Sequence, residues 1–343
     1  KARKQIASII NADPAEILIT SGGTESNNTA VNGITSQFPN SHIITTSIEH
    51  DAILEPCKKL SSNAFKVDYL PVDKFGMINP LDLENIISEK TSLVSVMFGN
   101  NEVGTIQPIQ KIAKICHKNQ IIFHTDAVQA VGKITVDVKE LDIDLLSISS
   151  HKLHGPKGIG ALYIKDGVKI NPMILGGGQE FRLRSGTENV ANIVGFGQAC
   201  EIAQNHLTEN SSCIKKLQSK LVKKVLAEIP EVTFNGHEEY RLYNNAHFTF
   251  LGVNGEDLII KLDEYGIAAS TGSACSVNTQ KASHVLEAMG FSLEQITGSL
   301  RLTVGIFNTE NEMNETVEIL KKIIEELRAV SPFKEKYSFE SKN

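Results

Sequence analysis

The chain has 343 residues, room for about two domains of common size, with 41% hydrophobic and 22% charged side chains, 25 Gly and 10 Pro. That balance excludes a disordered chain and a collagen-like repeat. Thirty-four Lys and Arg against 40 Asp and Glu leave a net charge of −6, which argues against the cationic footprint of a nucleic-acid binder.

The start, 1–7, runs into a helical pattern rather than a signal sequence, and no stretch approaches the ~18 apolar residues of a membrane span. An intracellular protein is expected, in the cytoplasm or in an organelle with a reducing interior. The first residue is Lys1 and the pattern opens inside a helix, so further N-terminal residues are expected. Five cysteines, at 57, 116, 200, 213 and 275, form an odd set without a C-x-x-C pair, which disfavours both a disulfide framework and a Cys-rich zinc site.

In chain order, short β-rich runs at 16–20, 42–46, 91–98, 121–125, 144–149 and 160–164 alternate with amphipathic segments of helical length. Near-continuously apolar strands separated by helices predict an α/β fold: a mostly parallel sheet with helices on both faces. This large domain is expected over 1–208. Helical patterns at 189–207 and 211–228 follow, then strands near 246–251 and 300–304, giving a smaller α+β domain over 209–343. Its last helix spaces Met313, Val317, Leu320, Ile324 and Leu327 by fours and threes, one buried stripe.

Ligands of open α/β sheets sit beyond the carboxyl ends of the strands. After the first strand comes Ser21-Gly-Gly-Thr-Glu-Ser-Asn27, where Gly22, Gly23 and the start of a helix suit a phosphate; an ordinary capped turn is the alternative. Asp126 and Gln129 follow the fourth strand, and His151 and Lys152 follow the fifth. An acid and a lysine at neighbouring strand ends suit pyridoxal phosphate, the lysine holding the aldehyde and the acid keeping the pyridine nitrogen protonated. A salt-bridged strand-end lysine would read the same way.

Together Ser-Gly-Gly-Thr-Glu-Ser (21–26), Glu-His (49–50), Asn-Asn-Glu-Val-Gly (100–104), His-Thr-Asp-Ala-Val-Gln (124–129), Ser-Ser-His-Lys-Leu-His-Gly-Pro-Lys-Gly (149–158), Arg-Ser-Gly-Thr (184–187) and Ser-Ala-Cys (273–275) resemble the cysteine desulfurases of iron-sulfur cluster assembly. These are fold-type I, class V aminotransferase-like enzymes, and the similarity runs over essentially the whole chain. The resemblance implies that Lys152 holds pyridoxal 5'-phosphate and moves the substrate's α-proton, that Asp126 pairs with the pyridine nitrogen, and that Gln129 reaches the ring hydroxyl. It implies that His50 stacks on the ring and assists proton transfer, and that Asn101 lies near the cofactor oxygen and the substrate. Gly23, Thr24, Ser149 and His151 would meet the phosphate. Thr187 would complete the phosphate site of the neighbouring subunit, which implies a homodimer, and Arg301 would clamp the carboxylate of L-cysteine. Sulfur-acceptor or iron-sulfur scaffold proteins are the implied partners.

Four cysteines fall in helical patterns and read as small hydrophobes or helix-surface thiols. Cys275 lies instead among small polar residues before a helix expected near Lys281, a place for a mobile thiol over about 270–282. His117, His206 and His237 are expected at the surface, without a role. His124 is expected to be structural, on the strand face away from Asp126. Two departures from the family pattern stand out: Phe181-Arg182 replaces Arg-Gly, and Lys281-Ala282 replaces an acid-proline pair. Alternatives are a selenocysteine lyase, a cysteine sulfinate desulfinase, an aminotransferase, or an impaired homologue serving as a binding platform.

Overall fold

The computed structural model describes residues 1–272, 282–332 and 334–337. They fall into two units, one made of 1–72, 78–99 and 107–207, the other of 73–77, 100–106 and the residues from 208 onward.

The first unit runs α1 (Ala2–Ser8), β1 (Ile17–Thr20), α2 (Gly23–Thr35), β2 (His42–Thr46), α3 (Asp51–Ser61), β3 (Lys66–Leu70), α4 (Pro80–Ile86), β4 (Thr91–Ser95), α5 (Ile109–Lys118), β5 (Ile122–Asp126), β6 (Leu145–Ser149), β7 (Gly160–Ile164) and α6 (Val190–Asn205). Its seven strands form one sheet in the order β1-β7-β6-β5-β4-β2-β3. The run from β6 to β3 is parallel, and β7 lies antiparallel to both β6 and β1. Every residue of β1, β2, β6 and β7 is buried, so both faces of the sheet are covered, as the near-continuous apolar runs require. One core joins Leu18, Ile43, Leu93, Leu145 and Leu162 of the strands to Val31 and Ile34 of α2 and Ile53 and Cys57 of α3. The expected α/β architecture is borne out. The edge strand β3, with only Leu70 buried, carries no apolar run and was not foreseen.

In the second unit α7 (Leu207–Glu228), β8 (Val232–Asn235), β9 (Asn245–Phe250), α8 (Gly255–Glu264), α9 (His284–Ala288), α10 (Leu293–Thr297), β10 (Ser299–Thr303), α11 (Glu310–Val330) and α12 (Lys334–Tyr337) follow. The strands form an antiparallel sheet in the order β10-β9-β8. Phe248 and Phe250 of β9, Leu300 and Leu302 of β10 and Leu221 and Val225 of α7 make its core with the stripe of α11. In that stripe Met313, Val317, Leu320 and Ile324 are buried and Leu327 packs half-buried against them. A capping box between Thr309 and Glu312 starts α11, satisfying N–H groups the first turn would leave unpaired. Among the described residues no helix is long and apolar enough to cross a membrane.

Candidate active site

The parallel strands deliver their carboxyl ends side by side. Met97, just past β4, donates its N–H to Glu49 Oε1 past β2 (2.8 Å), Phe98 N–H donates to the carbonyl of Asp126 (2.9 Å), and Ala127 N–H donates to that of Ser147 (3.1 Å). Loops after these strands are thereby stitched into one edge.

At one end of that edge stands the start of α2. Gly22 caps the helix at φ +150° and ψ −176°, a conformation open to glycine almost alone. A Cβ on Gly23 would come within 2.8 Å of Val128 Cγ2 and 3.6 Å of Ser149 Cβ, and one on Gly22 would lie 4.0 Å from Ser149 Oγ. The missing side chains leave a cradle in which the α2 N-terminus, exposed Thr24 and buried Ser149 meet. Ser149 Oγ is 2.8 Å from His151 Nδ1. Burial, then the nearby Lys152, Lys157 and Lys133, hold His151 below the usual imidazole range. Hydroxyls, a helix start and several cations form a donor set that fits a phosphate. Thr187 is exposed and makes no hydrogen bond to these groups among the described residues.

Asp126 closes β5 and is 6% exposed. Its Oδ2 accepts from Asn27 Nδ2 (2.6 Å) and its Oδ1 from Val128 N–H (2.9 Å), so the carboxylate is clamped in one orientation. Asn27 was not singled out from the sequence. The available signal was its spacing: it lies one helical turn beyond Gly23, on the side of α2 that begins at the cradle. Glu49, which stands in the motif at 49–50 without a role assigned to it, is a second acid, on which the charge of Asp126 bears. It is wholly buried, accepts from Thr46 Oγ1 (2.8 Å) as well as from Met97, and is pushed up to about 8 by desolvation, with Asp126 adding to the rise. At neutral pH Glu49 stays protonated.

His50 caps α3, its Nδ1 accepting from Ala52 N–H at 3.0 Å. An accepting Nδ1 leaves the ring proton on Nε2, so His50 presents a donor. His124 lies on the same face of β5 as Asp126, as residues two apart must, contrary to the expected opposite face. It is nevertheless structural: fully buried between Ser95 Oγ (2.8 Å) and Ser147 Oγ (3.0 Å) and lowered to about 3 by burial. His117 is no idle surface residue; it bridges Asp142 (2.6 Å) and Asp144 (2.9 Å).

Lys152 lies half-buried in the 3-10 turn Ser150–Leu153 that follows β6. Its charge reaches Lys133, whose amine donates to Gln129 Oε1 and to the Gln129 carbonyl, each at 2.9 Å. In the second unit Asn101 and Arg301 are brought together: Arg301 Nη1 donates to the Asn101 carbonyl at 2.9 Å. Arg301 occupies the middle of β10, opposite His247 of β9, and its backbone pairs with Ser270. Cys275 and Lys281 lie outside the described residues. Of the other cysteines, Cys57, Cys116 and Cys200 are buried, with thiols raised to about 12 for Cys57 and Cys200 and raised further for Cys116, while Cys213 is exposed.

A glycine-opened cradle that fits a phosphate and a clamped carboxylate lie along one sheet edge, an arrangement that fits the cofactor of a pyridoxal-phosphate enzyme of fold type I. The aminotransferase class-V pattern matches residues 1–315, and the chain belongs to that pyridoxal-phosphate-dependent family. It is 50% identical over 333 residues to cysteine desulfurase IscS of Methanosarcina thermophila, covering 96% of this chain and 82% of that one. It is 48% identical over 340 residues to cysteine desulfurase IscS of Clostridium botulinum, covering 98% and 86%. Among solved structures a NifS-like protein superposes with a TM-score of 0.88 at 41% identity, over 96% of this chain and 87% of its own.

Proposed function

We propose that this chain is a cysteine desulfurase, which removes sulfur from L-cysteine to leave L-alanine and receives the sulfur as a persulfide on Cys275. The observation that carries the reading is the Asp126 carboxylate, gripped at both oxygens on the sheet edge where β6 also delivers Lys152, in a chain half identical to a cysteine desulfurase. Pyridoxal 5'-phosphate, when bound, supplies a protonated ring that draws electron density from the substrate's α-carbon.

The chain's residues do the rest. Asp126 holds the ring proton, and Asn27 keeps that carboxylate aimed. Gly23, Thr24, Ser149 and His151 hold the phosphate. His50 would stack on the ring with its Nε2–H as a donor, and Gln129 and Asn101 would meet the ring oxygen. Arg301 takes the substrate carboxylate in its two-pronged fork, and Lys152 moves the α-proton. The Cys275 thiolate attacks the substrate sulfur: the S–S bond forms as the C–S bond breaks, the electron pair stays with carbon, and a proton completes alanine. Thiol plus cysteine thus becomes persulfide plus alanine, with no outside oxidant. Raised thiols at Cys57, Cys116 and Cys200 support assigning the nucleophile elsewhere, since the thiolate is the reactive form.

Two copies act together, with Thr187 of each completing the other's phosphate site. Leu175, Val190 and Val194, near Thr187 in sequence, are exposed, and large exposed apolar side chains support pairing. The sulfur passes on to an acceptor or scaffold protein of iron-sulfur cluster assembly, in a compartment that keeps thiols reduced.

The test is L-cysteine added to cofactor-loaded protein. Alanine should appear and the Cys275 peptide should gain the mass of one sulfur. Lys152→Ala should lose the violet-edge absorbance and all turnover, whereas Cys275→Ser should keep the colour and form no persulfide. Alanine release from colourless Lys152→Ala protein would refute the assignment.

A further inference from the structure

Gln129 has a carboxamide with two different ends, and the fold dictates which end is available. Lys133, four residues on, donates from Nζ to Gln129 Oε1 and to the Gln129 carbonyl, both at 2.9 Å. Both bonds run from the amine to an oxygen of Gln129, so the amide turns its oxygen toward Lys133 and leaves its N–H₂ on the other side. The remaining end is Nε2, and among the described residues nothing accepts from it. The second hydrogen bond also ties down the backbone of Gln129, three residues after the clamped Asp126.

This arrangement is costly. The residue is half-buried but its amine is desolvated, and burial, with the Lys152 charge behind it, lowers Lys133 to about 7. A surface tether would avoid that cost. The charged groups facing the amine are Lys152 and His151, both from the turn after β6.

We propose that Lys133 is a positioning residue for the cofactor: it locks Gln129 with its N–H₂ end outward, so that the ring oxygen is met by a donor and bound in its deprotonated form. The inference rests on the reading of Gln129 as a ligand of that oxygen. A donor fixed toward the ring oxygen stabilises its negative charge, and the cofactor-bound nitrogen of Lys152 then gives up its proton more easily.

The experiment follows the absorbance of pyridoxal 5'-phosphate-loaded protein from pH 6 to pH 10 and reads the midpoint at which the violet-edge band is lost. Lys133→Met should raise that midpoint by about one pH unit, Gln129→Ala should raise it similarly, and the double variant should go no further, because the two residues act as one device. Lys133→Ala carries the same expectation should the Met variant not fold. Melting of each variant without cofactor separates the roles, since a merely structural lysine would lower stability and leave the midpoint in place. An unmoved midpoint, or shifts that add in the double variant, would overturn the proposal. Absence of the band in the unsubstituted protein would instead overturn the cofactor site itself.

Discussion

Asn27 shows how a site depends on a residue that performs no chemistry. Its amide donates to Asp126 at 2.6 Å in a buried setting, and a hydrogen bond to a charged group contributes about 1.5–3 kcal/mol. Asn27→Leu should therefore lower the unfolding free energy of the cofactor-free chain by about that amount and weaken cofactor retention, as measured by urea unfolding and by dialysis of loaded protein. Unchanged stability and retention would show that Val128 N–H alone orients Asp126. The acid and the lysine were legible in the sequence because they abut strand ends, and His50 only through the family resemblance. Asn27, Glu49 and Lys133 were not, because each acts through a neighbour brought near only by folding, or, for Lys133, through a side-chain choice that spacing cannot reveal.

At the scale of elements, the departure at 181–182 acquires a physical meaning. Glu180, Phe181 and Arg182 all have positive φ, 45°, 59° and 67°, which costs a residue bearing a Cβ about 1–2 kcal/mol. Arg182 stands where the family pattern has glycine, the one residue free of that cost. The turn is held because Glu180 takes a bidentate pair from Arg3 of α1 and the N–H of Ile19 in β1 (2.8 Å). Arg182→Gly should raise stability by about 0.5–1 kcal/mol, read as a higher urea midpoint at constant slope; a loss would mean that the strain is absorbed elsewhere. Element legibility followed burial. Central strands such as β6 declared themselves as apolar runs, whereas the edges β3 and β8, with exposed residues between partly buried ones, did not. The reversed direction of β7 left no mark, because an apolar run reads alike in either direction.

For the whole molecule, pH dependence follows from one buried imidazole in each unit. His124 in the first and His247 in the second are fully buried and lowered to about 3 by desolvation. Below the ordinary value near 6.5 the unfolded chain binds protons that the folded chain refuses. This stabilising contribution is complete above pH 6.5 and is lost as pH falls toward 3, at about 1.4 kcal/mol per pH unit for each histidine. Glu49, raised to about 8, contributes stability that grows as pH falls to about 4.5 and offsets one of the two histidines over that range; urea midpoints should still fall from pH 6.5 to pH 4, and a flat profile would contradict the burial of both rings. The family motifs occur in both units, from Gly23 to Arg301; that residues 73–77 and 100–106 belong with the second unit could not be read locally, since it depends on contacts with residues from 208 onward.

Helix α2 begins at Gly23 and four residues later reaches Asn27, whose partner is Asp126. A single rigid rod therefore sets the gap between two jaws that, in the site proposed above, would grasp opposite poles of the vitamin. Such a caliper would measure length as well as charge: pyridoxal lacking its ester would fill one jaw and leave the other open, so discrimination among B6 vitamers would be built into the opening turns of one helix.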